Sequence, residues 1–256
     1  MTTFWAFCKK EWMELMRTSK LLVISILFIL FGIMNPAMAK LTPWLMETLS
    51  HDLEESGFII GEITVDALTS WTQFYKNIPM ALIAFILLLS GILVNELQKG
   101  TLIPIITKGY SRWKIITAKV LSLFFLWTGG FFMCYGITYF YNSYFWDNSI
   151  ANHHFAAAVF SWTFGIMVIS LMILFSTISK NTGTVLLGCG GLVALMYMLE
   201  MIGKIKDFLP VKLMDGMSLL TSACDISDYY KALVVCIIIS VLSFLLSLLH
   251  FNKITF

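Results

Sequence analysis

The sequence predicts an all-α polytopic membrane protein: six transmembrane helices, an N-terminal amphipathic helix and both termini cytoplasmic. Three observations carry this. Of 256 residues, 59% are hydrophobic and 12% charged, where a soluble domain averages about 25% charged. Six runs reach the roughly 20 apolar residues that a helix needs to cross about 30 Å of hydrocarbon. The period-two alternation of barrel strands is absent, and backbone groups in lipid must bond within their own segment, so the runs are helices.

In chain order, residues 2–18 form the amphipathic helix. Phe4, Cys8, Trp12 and Leu15 follow an apolar stripe, and Lys10, Glu14 and Arg17 a polar one. Two tryptophans, Trp5 and Trp12, and four basic residues precede the first span, which suits a helix lying in the inner interface. Residues 21–39 are the first span, too long for the apolar core of a cleavable signal peptide. Asn35-Pro36 either kinks it near its outer end or caps that end. Residues 40–76 read as an acidic external loop.

The second span is 78–94, and a polar stretch, 95–119, separates it from the third, 120–141. That third span carries the densest aromatic cluster, including Trp127, Phe131, Tyr135 and Tyr139; its outer members suit an interfacial belt, and its inner members read as lipid-facing packing. The remaining spans are 155–178, 185–202 and 232–249. Each is uncharged except the fifth, which holds Glu200 near one end. Residues 203–231 contain short apolar pieces broken by Pro210 and Gly216; they either dip into the outer leaflet or form an external loop with a surface helix. The whole chain, 1–256, is one transmembrane domain.

Lys and Arg placement orients the bundle. With the N-terminus inside, eleven of the 17 basic residues lie in cytoplasmic segments and six outside, and of 15 acidic residues only Glu11, Glu14 and Glu96 lie inside. Five cysteines, scattered and odd in number, predict no intrachain disulfide. Nucleic acid is excluded as a partner, because the basic residues form no dense patch on a soluble fold.

Resident chemistry is not visible. His51, His153, His154 and His250 have no metal-ligand spacing, so no metal site is expected. No GxSxG motif supplies a serine nucleophile, and no P-loop binds ATP. Gly188, Gly190 and Gly191 lie inside a span, where small residues let helices approach. The chain is not an enzyme by itself and binds no cofactor.

The polar stretch is the distinctive feature. Glu96 ends the second span, Gly100-Thr101-Leu102 follows after Lys99, and Ser111-Arg112 and Lys119 lead into the third. Gly100-Thr101 can end one helix and start another with Thr101 as N-cap. Leu102, Ile103, Ile105 and Ile106 then give an apolar surface rimmed by Lys99, Lys108 and Arg112, the signature of a docking surface for a protein partner.

This pattern resembles the coupling region of type-2 ABC transporter permeases, the membrane-spanning subunits of bacterial-type ABC exporters. The resemblance covers the chain: an elbow helix (Trp5, Trp12, Arg17), six spans and a broken segment before the last. One departure is Gly109-Tyr110, where the family often has a proline before Ser-Arg. The resemblance implies two permeases, identical or homologous, and two separate ATPase subunits carrying ATP and Mg. Glu96, Lys99, Gly100, Thr101, Leu102, Arg112 and Lys119 would couple the ATPase to the membrane. The pathway would run along spans one, two and five, where Asn35, Ser90 and Glu200 are the polar candidates, and its scarcity of charge implies a hydrophobic or amphipathic cargo such as a peptide, toxin, drug or lipid-like molecule. The alternatives are a membrane immunity or sensory module and an ion-coupled carrier.

Overall fold

A computed structural model describes residues 2–54, 65–203 and 205–253. Among these residues the chain is helical without strands: α1 (Thr2–Arg17), α2 (Lys20–Glu54), α3 (Ala67–Leu89), α4 (Gly91–Gln98), α5 (Ile103–Thr107), α6 (Arg112–Phe145), α7 (His154–Ile178), α8 (Thr182–Glu200), α9 (Gly216–Leu220) and α10 (Tyr230–Lys253). Six helices are long and apolar enough to cross a membrane, with α3 and α4 together making the second. The protein is a multi-pass membrane protein.

Several helices run past the expected apolar limits. The external loop expected at 40–76 is mostly helix: residues 40–54 continue α2, and Asp66 caps α3 by accepting from the Thr69 N–H at 2.9 Å. Residues 55–64 of that loop lie outside the described residues. Likewise, the polar stretch 95–119 includes the last turn of α4 and the first two turns of α6. Hydropathy marks where lipid ends, whereas a helix ends only at a cap or a breaker.

Helix α7 is the centre, with 67% of its apolar window buried against 17% for α8. Small residues explain this position. Ala157, Ala158, Ser161, Gly165 and Ser176 are buried along α7 and let neighbouring backbones come close. The Trp127 ring of α6 lies over Gly165, where an added Cβ would sit 2.3 Å from Trp127 Cε2.

Pro36 shows how polar groups are satisfied inside the bundle. Its missing N–H frees the Gly32 carbonyl four residues back, and Thr138 Oγ1 of α6 donates to that carbonyl at 3.2 Å. Asn35 Nδ2 donates to Thr138 Oγ1 (2.9 Å) and Asn77 Nδ2 to Asn35 Oδ1 (2.7 Å). The helix continues through the proline, so Asn35 caps no end.

The broken segment before α10 is packed, not loose. Val211, Leu213, Leu219 and Leu220 are buried, and Ser161 Oγ donates to the Leu213 carbonyl at 3.2 Å. Ser161 is seven residues into α7, so the segment reaches about 10 Å along that helix.

Candidate functional site

The site lies at the end of the bundle where α1, the α4–α6 connection and the C-terminal end of α10 meet. Its geometry starts with α1. Phe7, Glu11 and Leu15, four residues apart, form the buried face of this helix. Phe4, Cys8 and Trp12 are half-buried beside it, while Trp5 and Arg17 are exposed. The sequence stripe therefore gave the helix its period but not its most buried polar residue, Glu11, which is 1% exposed.

Glu11 belongs to a closed ring of charges. Lys119 Nζ of α6, in a residue 0% exposed, lies 2.9 Å from Glu11 Oε2 and 2.7 Å from Glu96 Oε2. Lys10 Nζ lies 2.9 Å from Glu11 Oε1 and 2.5 Å from Glu96 Oε1. Two lysines and two glutamates thus alternate across α1, α4 and α6. Lys119 donates hydrogen bonds to Glu11 Oε2 (2.9 Å) and to the Ile92 carbonyl (3.1 Å), and its contact with Glu96 Oε2 is an ion pair. Burial lowers the pKa of Lys10, but the Glu11 charge, with hydrogen bonds to Glu14, Glu96 and Glu11, outweighs it and holds the ammonium above its ordinary range.

Glu11, Glu14 and Glu96 bring carboxylate oxygens within 4.8 Å of one another, a spacing suited to a cation. Lys10 Nζ is within 2.9 Å of all three side chains and supplies that charge.

The connection beyond Glu96 is a hairpin closed by two glycines. Gly100 takes φ +67° and Gly109 φ +83°. After Gly100, the Thr101 N–H donates back to the Glu96 carbonyl (3.1 Å); after Gly109, the Tyr110 N–H donates back to Ile105 (3.3 Å). Each is a helix C-terminus closed through a left-handed residue. Thr101 is consequently not the N-cap of α5. Its backbone is committed to α4, its hydroxyl also donates to Glu96 O (3.3 Å), and the N-cap position falls to Leu102 ahead of Pro104. Gly109 takes over the turn where the sequence departs from its expected proline.

Leu102 is another correction. It is 1% exposed and part of the core rather than of a docking patch. Ile103 and Pro104 are exposed on α5, Ile105 and Ile106 are half-buried, and Lys99 and Lys108 are exposed at the rim. Arg112 Nη1 donates to the carbonyls of Phe251 (3.2 Å) and Asn252 (2.8 Å), fastening the start of α6 to the end of α10.

Of the three polar pathway candidates, Asn35 and Ser90 are buried inside this chain. Asn35 is bonded within the α2–α3–α6 core, and Ser90 sits at the break between α3 and α4, where its carbonyl accepts from Ser176 Oγ at 3.5 Å. Neither side chain lies on a surface that a second copy could share. Glu200 ends α8, half-buried. An apolar groove of about 400 Å³ does open between α3 and α8, lined by Ile83, Ile86, Phe164, Val193, Tyr197 and Met214. Sequence reasoning missed this groove and Glu11 because both are made by residues far apart in the chain.

A family model described as "ABC-2 family transporter protein" matches residues 5–237. Neither the curated proteins nor the solved structures give a significant match.

Proposed function

The chain belongs to the ABC-2 transporter family, and from that premise we propose that it is the permease of an ATP-driven exporter in the plasma membrane. Its ATPase is a separate subunit, present in two copies and docking on α5, and a second permease, identical or homologous, completes the path. Both termini and the α4–α6 hairpin face the cytoplasm.

The observation that carries this reading is the ring of Lys10, Glu11, Glu96 and Lys119. A hairpin that only turned the chain would need no buried charges, whose desolvation is costly unless each is paired. Here the charges join the elbow helix α1, the end of the second span and the start of the third into one rigid joint directly behind exposed Ile103 and Pro104. Arg112 extends the joint to α10. A push on α5 therefore reaches four helices at once.

The cargo is hydrophobic or amphipathic. The α3–α8 groove is almost wholly apolar, and Met214 of the inserted segment 205–229 forms part of its wall. That segment enters the outer leaflet and narrows the outer end of the groove.

Co-purification tests the proposal. The chain captures a Walker-motif ATPase from its own cell, and Ile103→Asp with Lys108→Glu abolishes capture while leaving the thermal midpoint unchanged, since both positions are exposed. Transport that persists with a hydrolysis-dead ATPase would sink the reading and favour an ion-coupled carrier.

A further inference from the structure

Helix α8 is the span least held by its own bundle. Leu187, Leu195 and Met198 are exposed, and its inner contacts run along one edge, where Gly188 meets the Phe175 ring and Cys189 Sγ lies 3.7 Å from the Val168 carbonyl. Its first turn, however, is fastened from outside. Gln98 Nε2 of α4 donates to the Lys180 carbonyl just before α8, and Thr182 Oγ1 at the start of α8 donates to Asn95 Oδ1 at 3.3 Å. Between these bonds, Asn181 Oδ1 accepts from the Thr184 N–H at 2.7 Å, a side-chain cap that stiffens the connection into the helix.

The last turn of α4 therefore serves two partners. Glu96 reaches the charge ring, and Asn95 and Gln98, three residues apart and so on one face, reach α8. Gly91 keeps the space that Asn95 uses: a Cβ there would lie 2.4 Å from Asn95 Nδ2. An alanine at 91 would meet only a flexible side-chain end, so its effect falls on where the Asn95 amide points.

We propose that Asn95 and Gln98 are positioning residues for transport, linking the α4–α6 hairpin to α8 so that displacement of the hairpin moves α8 against α7 and changes the width of the α3–α8 groove. The inference rests on the permease reading above. The link acts on α8 rather than on α7 because α8 is 17% buried along its apolar stretch and α7 is 67% buried; the same pull leaves the better-packed helix in place.

Spin labels at Leu187→Cys on α8 and Leu249→Cys on α10, both exposed sites, test this with all five native cysteines replaced by alanine. Electron–electron resonance reads the distance between them. In the permease alone, in lipid vesicles and with labelled chains diluted into unlabelled ones so that only the pair within one chain is read, the parent gives one narrow distance, and N95L/Q98E, which removes both bonds at constant size, broadens it. N95D keeps the acceptor for Thr182 and stays narrow; G91A broadens it without lowering the amount of folded protein. In the assembled complex the parent distance shifts when ATP and vanadate trap ADP–vanadate on the ATPase, and N95L/Q98E loses that shift while ATP hydrolysis, measured without vanadate, continues. An unbroadened N95L/Q98E permease overturns the inference, as does a variant complex that keeps the shift. A parent complex that hydrolyses ATP without any shift overturns it too. Failure to capture an ATPase shows instead as absent hydrolysis and removes the permease reading, and the comparison in the permease alone still decides whether the link holds α8.

Discussion

Lys119 and Lys10 hold the same two glutamates from different depths. Lys119 is fully buried between Glu11, Glu96 and the Ile92 carbonyl; Lys10 is 38% exposed in its side chain. Removing one member of a buried set leaves the others unpaired, so Lys119→Met is expected to lower stability by about 3–5 kcal/mol, read as a fall in the thermal midpoint in detergent. Lys119→Met with Glu11→Gln should recover part of that loss, since the second change removes the charge the first one orphans. Lys10 sets the pH dependence. Its ammonium is held above the ordinary lysine range, and a cation raised on folding adds stability at every pH below its unfolded value, losing it as pH climbs through the folded one. Docking of α1 is therefore expected to be flat from neutral pH to about pH 10 and to loosen above it, followed by hydrogen exchange of the α1 amides. Glu11 was unreadable in the sequence for a specific reason. A helical wheel shows that position 11 shares a face with Phe7 and Leu15, but only the fold brings Lys119, 108 residues on, against it.

At the scale of elements, the α4–α6 hairpin depends on two left-handed residues that differ in their surroundings. A Cβ at Gly100 would meet Ile103 Cδ1 at 3.3 Å, whereas one at Gly109 would meet nothing within 4 Å. Gly109→Ala thus reports backbone strain alone, about 1–2 kcal/mol, and Gly109→Asn should cost less because asparagine tolerates this conformation. Thermal unfolding of the two variants side by side checks the order. In the bundle, Gly165→Ala would drive a Cβ into the fully buried Trp127 ring and is expected to cost about 1–3 kcal/mol, the range for overpacking a filled site. The hairpin was legible as far as its glycine. Gly100 marks a helix end on any reading, but the residue after a left-handed glycine donates its N–H backwards, so Thr101 was lost to α4. Pro104, favoured in the first turn of a helix, was the signal that α5 begins later.

The whole molecule was more legible than its site, because span length and charge asymmetry are set by the bilayer rather than by which helix meets which. Six apolar runs sufficed for six spanning helices, yet nothing in them ranked α7 as central and α8 as peripheral; that ranking follows from Gly165, Ser161 and Ser176 finding neighbours, while Gly190 and Gly191 on α8 face open space. Orientation is the remaining property on which the reading depends, and two cysteines sit where they can decide it. Cys8 lies on α1 beside the charge ring, and Cys224 lies in the inserted segment at the opposite end, near Asn152, which bonds Ser222 at 3.0 Å. Both are half-buried, whereas Cys134, Cys189 and Cys236 are buried. Eleven of 17 basic residues fall on the Cys8 side, and such an excess in short segments predicts that side to be cytoplasmic. A membrane-impermeant maleimide added to intact cells is therefore expected to label Cys224 and spare Cys8, and Cys8 should react only after permeabilisation. It should react slowly even then, because burial first, and the Glu11 charge second, push its thiol pKa up and the thiolate is the reactive form. Labelling of Cys8 from outside intact cells would invert the bundle, place α5 beyond the reach of any cytoplasmic ATPase, and end the permease reading at its premise.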